Sequence, residues 1–245
     1  MKSLVCISNV PDTTTRIKYT TDGKSLDKTG VTFVINPYDE FGLVRAIELK
    51  EKSGQGEITA FCVGGADVET TLRKALAIGA DNAVRIDTPP LDSRSVAEEI
   101  AAYAKGKGYD LIYCGKESID HNGSAVGAML AALLGLPFVS FCTKLNTEGG
   151  KLLAMREIDG GMQKMESGLP AVVSCQKGMA EWRIPNMRGI MAARTKPLQV
   201  LPSCGAKAYV STVKLESPPE KGGCKYVNAA EAGKLAELLH ENGLI

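Results

Sequence analysis

Between Gly115 and Gly127 the chain reads Gly-Lys-Glu-Ser-Ile-Asp-His-Asn-Gly-Ser-Ala-Val-Gly. It is a run of small and polar residues between the apolar Leu111–Cys114 and an apolar stretch ending at Leu134. Gly123 and Ser124 place small side chains where a helix is predicted to begin, so free backbone amides and the positive end of the helix dipole would face outward. That chemistry suits a phosphate or another anion held by N–H groups. Taken alone, a Gly/Ser-rich strand-to-helix loop is more often plain punctuation. Neither a Walker loop nor a G-x-G-x-x-G fingerprint occurs in the chain.

A second constellation lies near the C-terminal end of the chain's apolar half. Arg183, Arg188 and Arg194 flank Met187 and the single tryptophan, Trp182, in a stretch that also contains Pro185. An apolar side chain displayed among arginines can anchor in a partner's pocket while charge steers the approach. The alternative is an ordinary surface loop whose Trp182 folds back on the core. Nothing resembles catalytic machinery: His121 and His240 are far apart, and no Ser or Cys sits in a nucleophile-elbow motif. The cysteines, at Cys6, Cys62, Cys114, Cys142, Cys175, Cys204 and Cys224, show no C-x-x-C spacing. Most sit in or beside apolar runs, which fits reduced, buried thiols better than a metal or redox site.

The elements that must position these residues follow from periodicity. Short apolar runs alternate with helical segments up to about residue 140, the pattern of an α/β, doubly wound, mostly parallel sheet of the nucleotide-binding Rossmann-like kind. The predicted strands are Leu4–Ser8, Val31–Ile35, Ile58–Val63, Ala83–Ile86, Leu111–Cys114 and Phe138–Phe141, with a core strand at Ala171–Cys175. The ends Cys6, Val63 and Cys114 fall on one sheet edge, where doubly wound folds bind ligands. Asn36-Pro37 caps a first helix with Asp39 and Glu40 in its first turn, and its buried stripe is Leu43, Ala46 and Ile47 with the Lys50 stem. A second helix runs from near Asp67 to a left-handed cap at Gly79, burying Val68, Leu72, Ala75 and Leu76. A third begins near Ser93 or Ser95 and buries Val96, Ile100 and Tyr103. The fourth, Ser124–Leu134, is apolar on nearly every face, which predicts burial on most sides.

Beyond Phe141, Lys151–Glu157 and Gly161–Glu166 read as an antiparallel hairpin turning at Asp159-Gly160. The region from Pro202 to 225 has little periodicity, and a terminal helix opening at Asn228 is predicted to bury Leu235, Leu238 and Leu239. These features divide the chain into residues 1–200, with a partner-recognition loop near 180–196, and an arm at 201–245 that must pack on something else. At 245 residues, 44% hydrophobic, 23% charged and +1 in net charge, the composition calls for neither nucleic acid nor an anionic membrane as partner. No apolar run reaches a membrane span, and Met1-Lys2-Ser3 leads into a strand without a leader pattern, so the expected location is cytoplasmic.

Three blocks in order carry a resemblance: Arg156-Glu157-Ile158-Asp159-Gly160-Gly161, Leu169-Pro170-Ala171-Val172-Val173, and Glu181-Trp182-Arg183-Ile184-Pro185-Asn186-Met187-Arg188-Gly189-Ile190-Met191. Together they resemble the signature region of the beta subunit of electron-transfer flavoprotein, and the resemblance extends from Leu4 to the C-terminus. It implies an electron carrier without substrate chemistry of its own. Such a carrier is paired with an alpha subunit that holds most of the redox-active FAD, accepts electrons from acyl-CoA or related dehydrogenases, and passes them to a membrane quinone oxidoreductase. It further implies that the arm at 201–245 packs on the alpha subunit, and that a structural AMP is cradled by Gly115 to Val126. Asp120 would lie on the polar side, Asn122, Gly123, Ser124, Ala125 and Val126 would offer amides, and Cys6, Asn36 and Val63 would complete the pocket. Met187 takes the place of the docking anchor, usually Leu, beside Trp182, Arg183 and Arg188. Glu157 stands where the family has a carboxylate that pairs with the alpha subunit's flavin domain; on its own residues it is equally a solvent-exposed hairpin residue.

This sequence departs from the family in two places. Ala180-Glu181-Trp182-Arg183 replaces the usual Asn-Glu-Pro-Arg, which puts partner choice in question. Ser124 and Val126 stand where the AMP-type loop carries Asn and Thr, and Val126-Gly127 resembles the electron-bifurcating branch, whose beta subunit holds a second FAD at this site. Arg156–Gly161 and the ending Gly243-Leu244-Ile245 resemble the AMP branch, which is favoured. A stand-alone nucleotide-binding or nucleotide-hydrolysing domain is the rival of another class, with only Asp120 and Glu117 available as carboxylates beside the loop.

Overall fold

The computed structural model describes residues 1–220, 222–224 and 226–245. It falls into two compact units, one of Met1–Ile17 with Lys28–Thr212, the other of Lys18–Asp27 with Val213–Ile245. In the first unit the chain runs β1 (Lys2–Cys6), β2 (Asn9–Pro11), β3 (Phe33–Ile35), α1 (Pro37–Ser53), β4 (Glu57–Val63), α2 (Glu69–Ile78), β5 (Asn82–Asp87), α3 (Ser93–Ala104), β6 (Leu111–Gly115) and α4 (Val126–Leu134). It continues through β7 (Phe138–Glu148), β8 (Lys151–Ile158), β9 (Gly161–Gly168), β10 (Ala171–Cys175), α5 (Met187–Ala193) and β11 (Leu198–Pro202). Among the described residues these form a nine-stranded sheet in the order β11-β5-β4-β1-β6-β10-β7-β8-β9. Neighbours are parallel from β11 to β7, and β8 and β9 extend the sheet antiparallel.

Alternation along the central strands sorts the core into two layers. Val5, Ala60, Cys62, Leu111, Tyr113 and Val173 point to the α1/α2 side with Leu43, Leu72 and Leu76. Leu4, Cys6, Phe61, Val63, Ile112, Cys114 and Val172 point to the α3/α4 side with Ile100 and Leu130. This is the period-2 signature of a sheet covered on both faces. The chain builds outward from β1 through β4 to β5, then crosses to β6 on β1's other side. The topological switch, and the crevice that accompanies it, lies at the C-terminal ends of β1 and β6.

Several expectations are corrected. Phe33–Ile35 pairs not with the large sheet but with Asn9–Pro11, in a separate two-stranded antiparallel sheet. Both sides of β1 are already taken by β4 and β6, so a strand entering α1 has no place there. Gly79 ends α2 at φ 155°, ψ 1°, outside the left-handed helical well, and a Cβ there would lie 2.7 Å from Ile47 Cδ1. The third helix begins at Ser93 as expected, capped by Asp92 in a reciprocal capping box with Ser95, but of its expected stripe only Ile100 is buried, with Val96 and Tyr103 partly so. α4 starts at Val126 and is not buried on most sides: Gly127, Leu130 and Ala131 face the sheet, while Ala128, Ala132 and Leu133 are exposed. Apolar composition reports what a face could cover, not what covers it. The stretch after β10, expected to be irregular, contains α5 and ends in β11, an edge strand beside β5.

In the second unit, Tyr19 bridges Leu26 and the Leu215 amide donates to Gly23 O. Its helix α6 (Gly233–Glu241) buries none of its residues: Leu235 is exposed, and Leu238 and Leu239 are only half-buried, contrary to the expected buried stripe.

The close packing of α1 on the sheet generates a stability prediction. A Cβ on Gly42 would lie 2.9 Å from Cys175 Sγ and 3.2 Å from Tyr113 Cβ, both in strands that cannot move aside. Gly42→Ala should therefore destabilise by about 1–3 kcal/mol despite its higher helix propensity. A denaturant midpoint equal to or above wild type would contradict this.

Candidate functional site

The crevice is organised by two buried polar residues at the start of α1. Asp39 accepts from the amides of Ser8 and Gly115, each at 2.7 Å. Asn36 donates to Glu117 O at 2.8 Å and accepts from the Ile119 amide at 3.2 Å, while its own amide donates to Ser8 O at 3.0 Å. Together they join the exits of β1 and β6 and fix the first half of the 115–125 loop. Gly115 is required at this junction because a Cβ would lie 2.4 Å from Asp39 Oδ1 and 2.8 Å from Asn36 Nδ2. Asn36 thus serves the loop with its side chain, a role its predicted place in a pocket wall did not include.

The second half of the loop is turned outward. Asn122 and Ser124 both take left-handed backbone, φ 49° and 47°, and residues 121–124 are exposed. Ser124 Oγ donates to Glu117 Oε2 at 3.2 Å. A Cβ on Gly123 would sit 3.6 Å from Ser93 Oγ, so the loop lies against the start of α3. No side chain caps α4, whose N-cap residue is Ala125. Its first-turn amides have no side-chain acceptor, as an anion site requires. Lys116, 5.0 Å from the Tyr38 ring centre and 3.2 Å from Glu117, supplies a nearby cation. Asp120 is exposed beside His121, at 3.9 Å.

Cys6, Val63 and Cys114 end adjacent strands on the α3/α4 side and are buried. The side-chain contact with Cys114, followed by burial, pushes the Cys6 thiol well up, and burial pushes Cys62 and Cys142 up to about 12. The raised Cys6, Cys62 and Cys142 thiols are poor nucleophiles at neutral pH.

The Trp182–Met191 segment lies elsewhere on the same unit. Trp182 is 60% exposed, with its ring centre 6.1 Å from Phe41, so it rests on α1 without entering the core. Arg183 makes a two-pronged pair with Glu51 at 2.7 and 2.8 Å. Met187, 73% exposed, is the first residue of α5, capped by Asn186 Oδ1, which accepts from the Gly189 amide at 2.8 Å. Ile184, 92% exposed, is a functional candidate that sequence reasoning missed. Its signal was present: a β-branched apolar residue directly before Pro185 in a charged stretch has no periodic partner to pack against. Arg188 is exposed beside them. Glu157 is exposed near the tip of the β8–β9 hairpin and accepts from Gln176 Nε2 at 3.2 Å. The structure brings the loop residues and Asn36 together; it does not bring Glu157, Met187 or Trp182 to that crevice.

Residues 24–204 match the family model described as "Electron transfer flavoprotein domain". The chain is similar to "Electron transfer flavoprotein subunit beta" of Syntrophomonas wolfei, 38% identical over 98% of this chain and 96% of that one. It is 36% identical to the protein of the same name in Bacillus subtilis, over the same shares, and 31% identical to the human one, over 97% and 98%.

Burial raises the Asp39 carboxyl from 3.8 to about 7, against the pull of the Ser8 and Gly115 amides. A carboxyl raised on folding contributes stability that is full below its unfolded range and is lost as pH climbs through the folded value. Asp39→Asn, which keeps only one acceptor for two amides, should be less stable than wild type at pH 4. The gap should narrow as pH rises from 4 to 7 in thermal unfolding, and a gap that widens over that range would contradict the assignment.

Proposed function

Because this chain belongs to the electron transfer flavoprotein beta-subunit family, we propose that it is the non-catalytic half of a heterodimeric electron carrier. In this reading it pairs with an alpha subunit that holds most of the FAD and takes electrons from acyl-CoA or related dehydrogenases, for delivery to a membrane quinone oxidoreductase. The FAD supplies the redox chemistry when bound. This chain binds, orients and docks. Among the described residues no helix is long and apolar enough to cross a membrane, and no cluster of side chains suits a metal.

The observation that carries the reading is the sewn strand-to-helix loop at the switch point. Its base is fixed by Asn36 and Asp39, and its far side offers the uncapped amides of α4 beside Gly123 and Ser124. A phosphate fits that donor set, and we assign it to AMP. Cys6 and Val63 form the wall nearest the strand ends, and Asp120 is the polar rim. The exposed Ile184 and Met187, with Trp182 behind them and Arg183 and Arg188 at their sides, form the docking tip. Glu157 is assigned to the contact with the alpha subunit's flavin domain.

Two measurements test this. Nucleotides extracted from the intact heterodimer and separated by chromatography should give one AMP per FAD; two FAD and no AMP would favour the bifurcating arrangement, which Val126-Gly127 suggests. Ser124→Asp, tolerated because Asp accepts left-handed backbone, should expel the AMP by placing a carboxylate beside its phosphate; wild-type stoichiometry would place the phosphate elsewhere.

The docking tip has its own test. Truncating a buried apolar anchor costs about 2 kcal/mol or more, roughly thirtyfold in the efficiency of electron delivery. Met187→Ala should slow reduction by an acyl-CoA dehydrogenase to that degree, with nucleotide and flavin contents unchanged. If Ile184→Ala or Trp182→Ala has the larger effect, the anchor is that residue; if none has any, the segment does not dock.

A further inference from the structure

α2 and the segment containing α5 cap one another. Arg73, on α2, donates from one guanidinium nitrogen to Ala193 O and Lys196 O, both at 2.8 Å. Lys196, just beyond α5, donates to Leu76 O at 2.9 Å and Ala80 O at 2.6 Å, at the end of α2. Each helix therefore receives a cation from the other at the end where its carbonyls are unpaired and its dipole is negative. Between these contacts the two helices nearly touch: a Cβ on Gly189 would lie 2.4 Å from Ala77 O.

The arrangement matters because α5 is weak by itself. It has seven residues, of which only Ala193 is buried, and a helix of that length does not persist in water without tertiary support. The Arg183–Glu51 pair that holds the front of the segment is exposed on the Glu51 side, and such pairs contribute little. The reciprocal clamp, by contrast, is half-buried and spends four carbonyls on two cations. Burial also lowers the Lys196 amine, so its charge is kept at a desolvation cost that the carbonyls offset.

We propose that Arg73 and Lys196 are positioning residues for partner docking: their reciprocal clamp fixes α5 on α2 and so presents Met187 and Ile184 in one orientation before the partner arrives. The inference rests on the docking role assigned above to that segment. A tip ordered in advance leaves less conformational entropy to be lost on association. Arg188 and Arg194, which are exposed, are left free to set the approach.

The test uses the intact heterodimer, with an acyl-CoA dehydrogenase reduced by its substrate as electron donor and dithionite as a partner-independent reductant. Arg73→Met removes both donors while keeping the stem. The half-saturating dehydrogenase concentration should rise roughly tenfold, as expected when the ordering of a few side chains is deferred to binding. The limiting rate, the dithionite rate and the nucleotide content should stay at wild type, amide exchange in residues 190–196 should quicken, and Arg73→Lys should recover much of the loss. Lys196→Met tests the clamp from its other side and replaces Arg73→Met if that variant does not fold. Wild-type half-saturation in the folded variants, while Met187→Ala or Ile184→Ala raises it, would overturn the clamp and leave the docking role standing. If the Met187 and Ile184 variants also behave as wild type, or the wild-type complex takes no electrons from the dehydrogenase, the docking role fails and the clamp's function with it.

Discussion

Four stretches of chain meet at the buried pair Asn36 and Asp39: the exit of β1, the start of α1, the exit of β6 and the loop that follows it. A buried hydrogen bond contributes only about 1 kcal/mol net, but leaving a buried partner unpaired costs about 1–3 kcal/mol. These two side chains carry four such bonds: removing Asp39 would orphan amides at the exits of β1 and β6, and removing Asn36 would orphan two backbone groups of the loop. The junction therefore sets the position of the crevice floor as rigidly as the sheet sets its walls. It also explains why Gly115, with no backbone requirement for positive φ, admits no side chain: the space a Cβ would take belongs to Asp39 and Asn36.

The loop built on that floor has two halves, one fastened to Asn36 and one turned outward. Its first half consumes polar groups internally, Glu117 O and the Ile119 amide on Asn36. In its second half the His121 and Asn122 amides donate to Ser118 O at 3.3 and 2.8 Å, and left-handed backbone at Asn122 and Ser124 turns residues 121–124 into solvent ahead of an uncapped helix. Asn tolerates that backbone well and Ser less so, so the turn at Ser124 carries some strain. A loop anchored at its base and open in donors at its tip can accept an anion without reorganising.

What could be read in advance follows from which forces are local. The strands at Leu4, Ile58, Ala83, Leu111 and Ala171, the Asn36-Pro37 start of α1 and the Asp159-Gly160 turn rest on periodicity, capping and turn chemistry, which a sequence displays directly. The β2–β3 pairing was not legible, because it depends on which sheet positions remain after β4 and β6 flank β1. Nor were α5 and β11: α5 is stabilised by Arg73 and Lys196 across more than a hundred residues of chain, and β11 by pairing with β5. The exposed face of α4 and the Leu235 stripe of α6 were misread for a related reason. Hydrophobic pattern marks a face that can be covered, and a single chain does not say whether its own residues do the covering. In the site, residue types identified the loop, whereas the use of Asn36 as its fastener required the register of β1 against β6.

Sheet order also explains why an exposed apolar tip occurs where it does. β10 lies between β6 and β7, whereas β11, the next strand in the chain, lies at the far edge beside β5. The connection must travel past β6, β1, β4 and β5, and the face it crosses is already covered by α1 and α2. It can only run outside them, touching α1 at Phe41 and Glu51 and α2 at Arg73 and Ala77. An outer connection has one side to bury and one side in solvent, and this one buries Met179 and Ala193. Trp182 covers Phe41 from outside, and Ile184 and Met187 have nothing left to pack on within the unit. Their exposure is therefore a consequence of topology, held in place by contacts to α1 and α2. A crossover that the fold forces to the surface, but ties down at both ends, is where a rigid scaffold can display an apolar anchor without spending core residues on it.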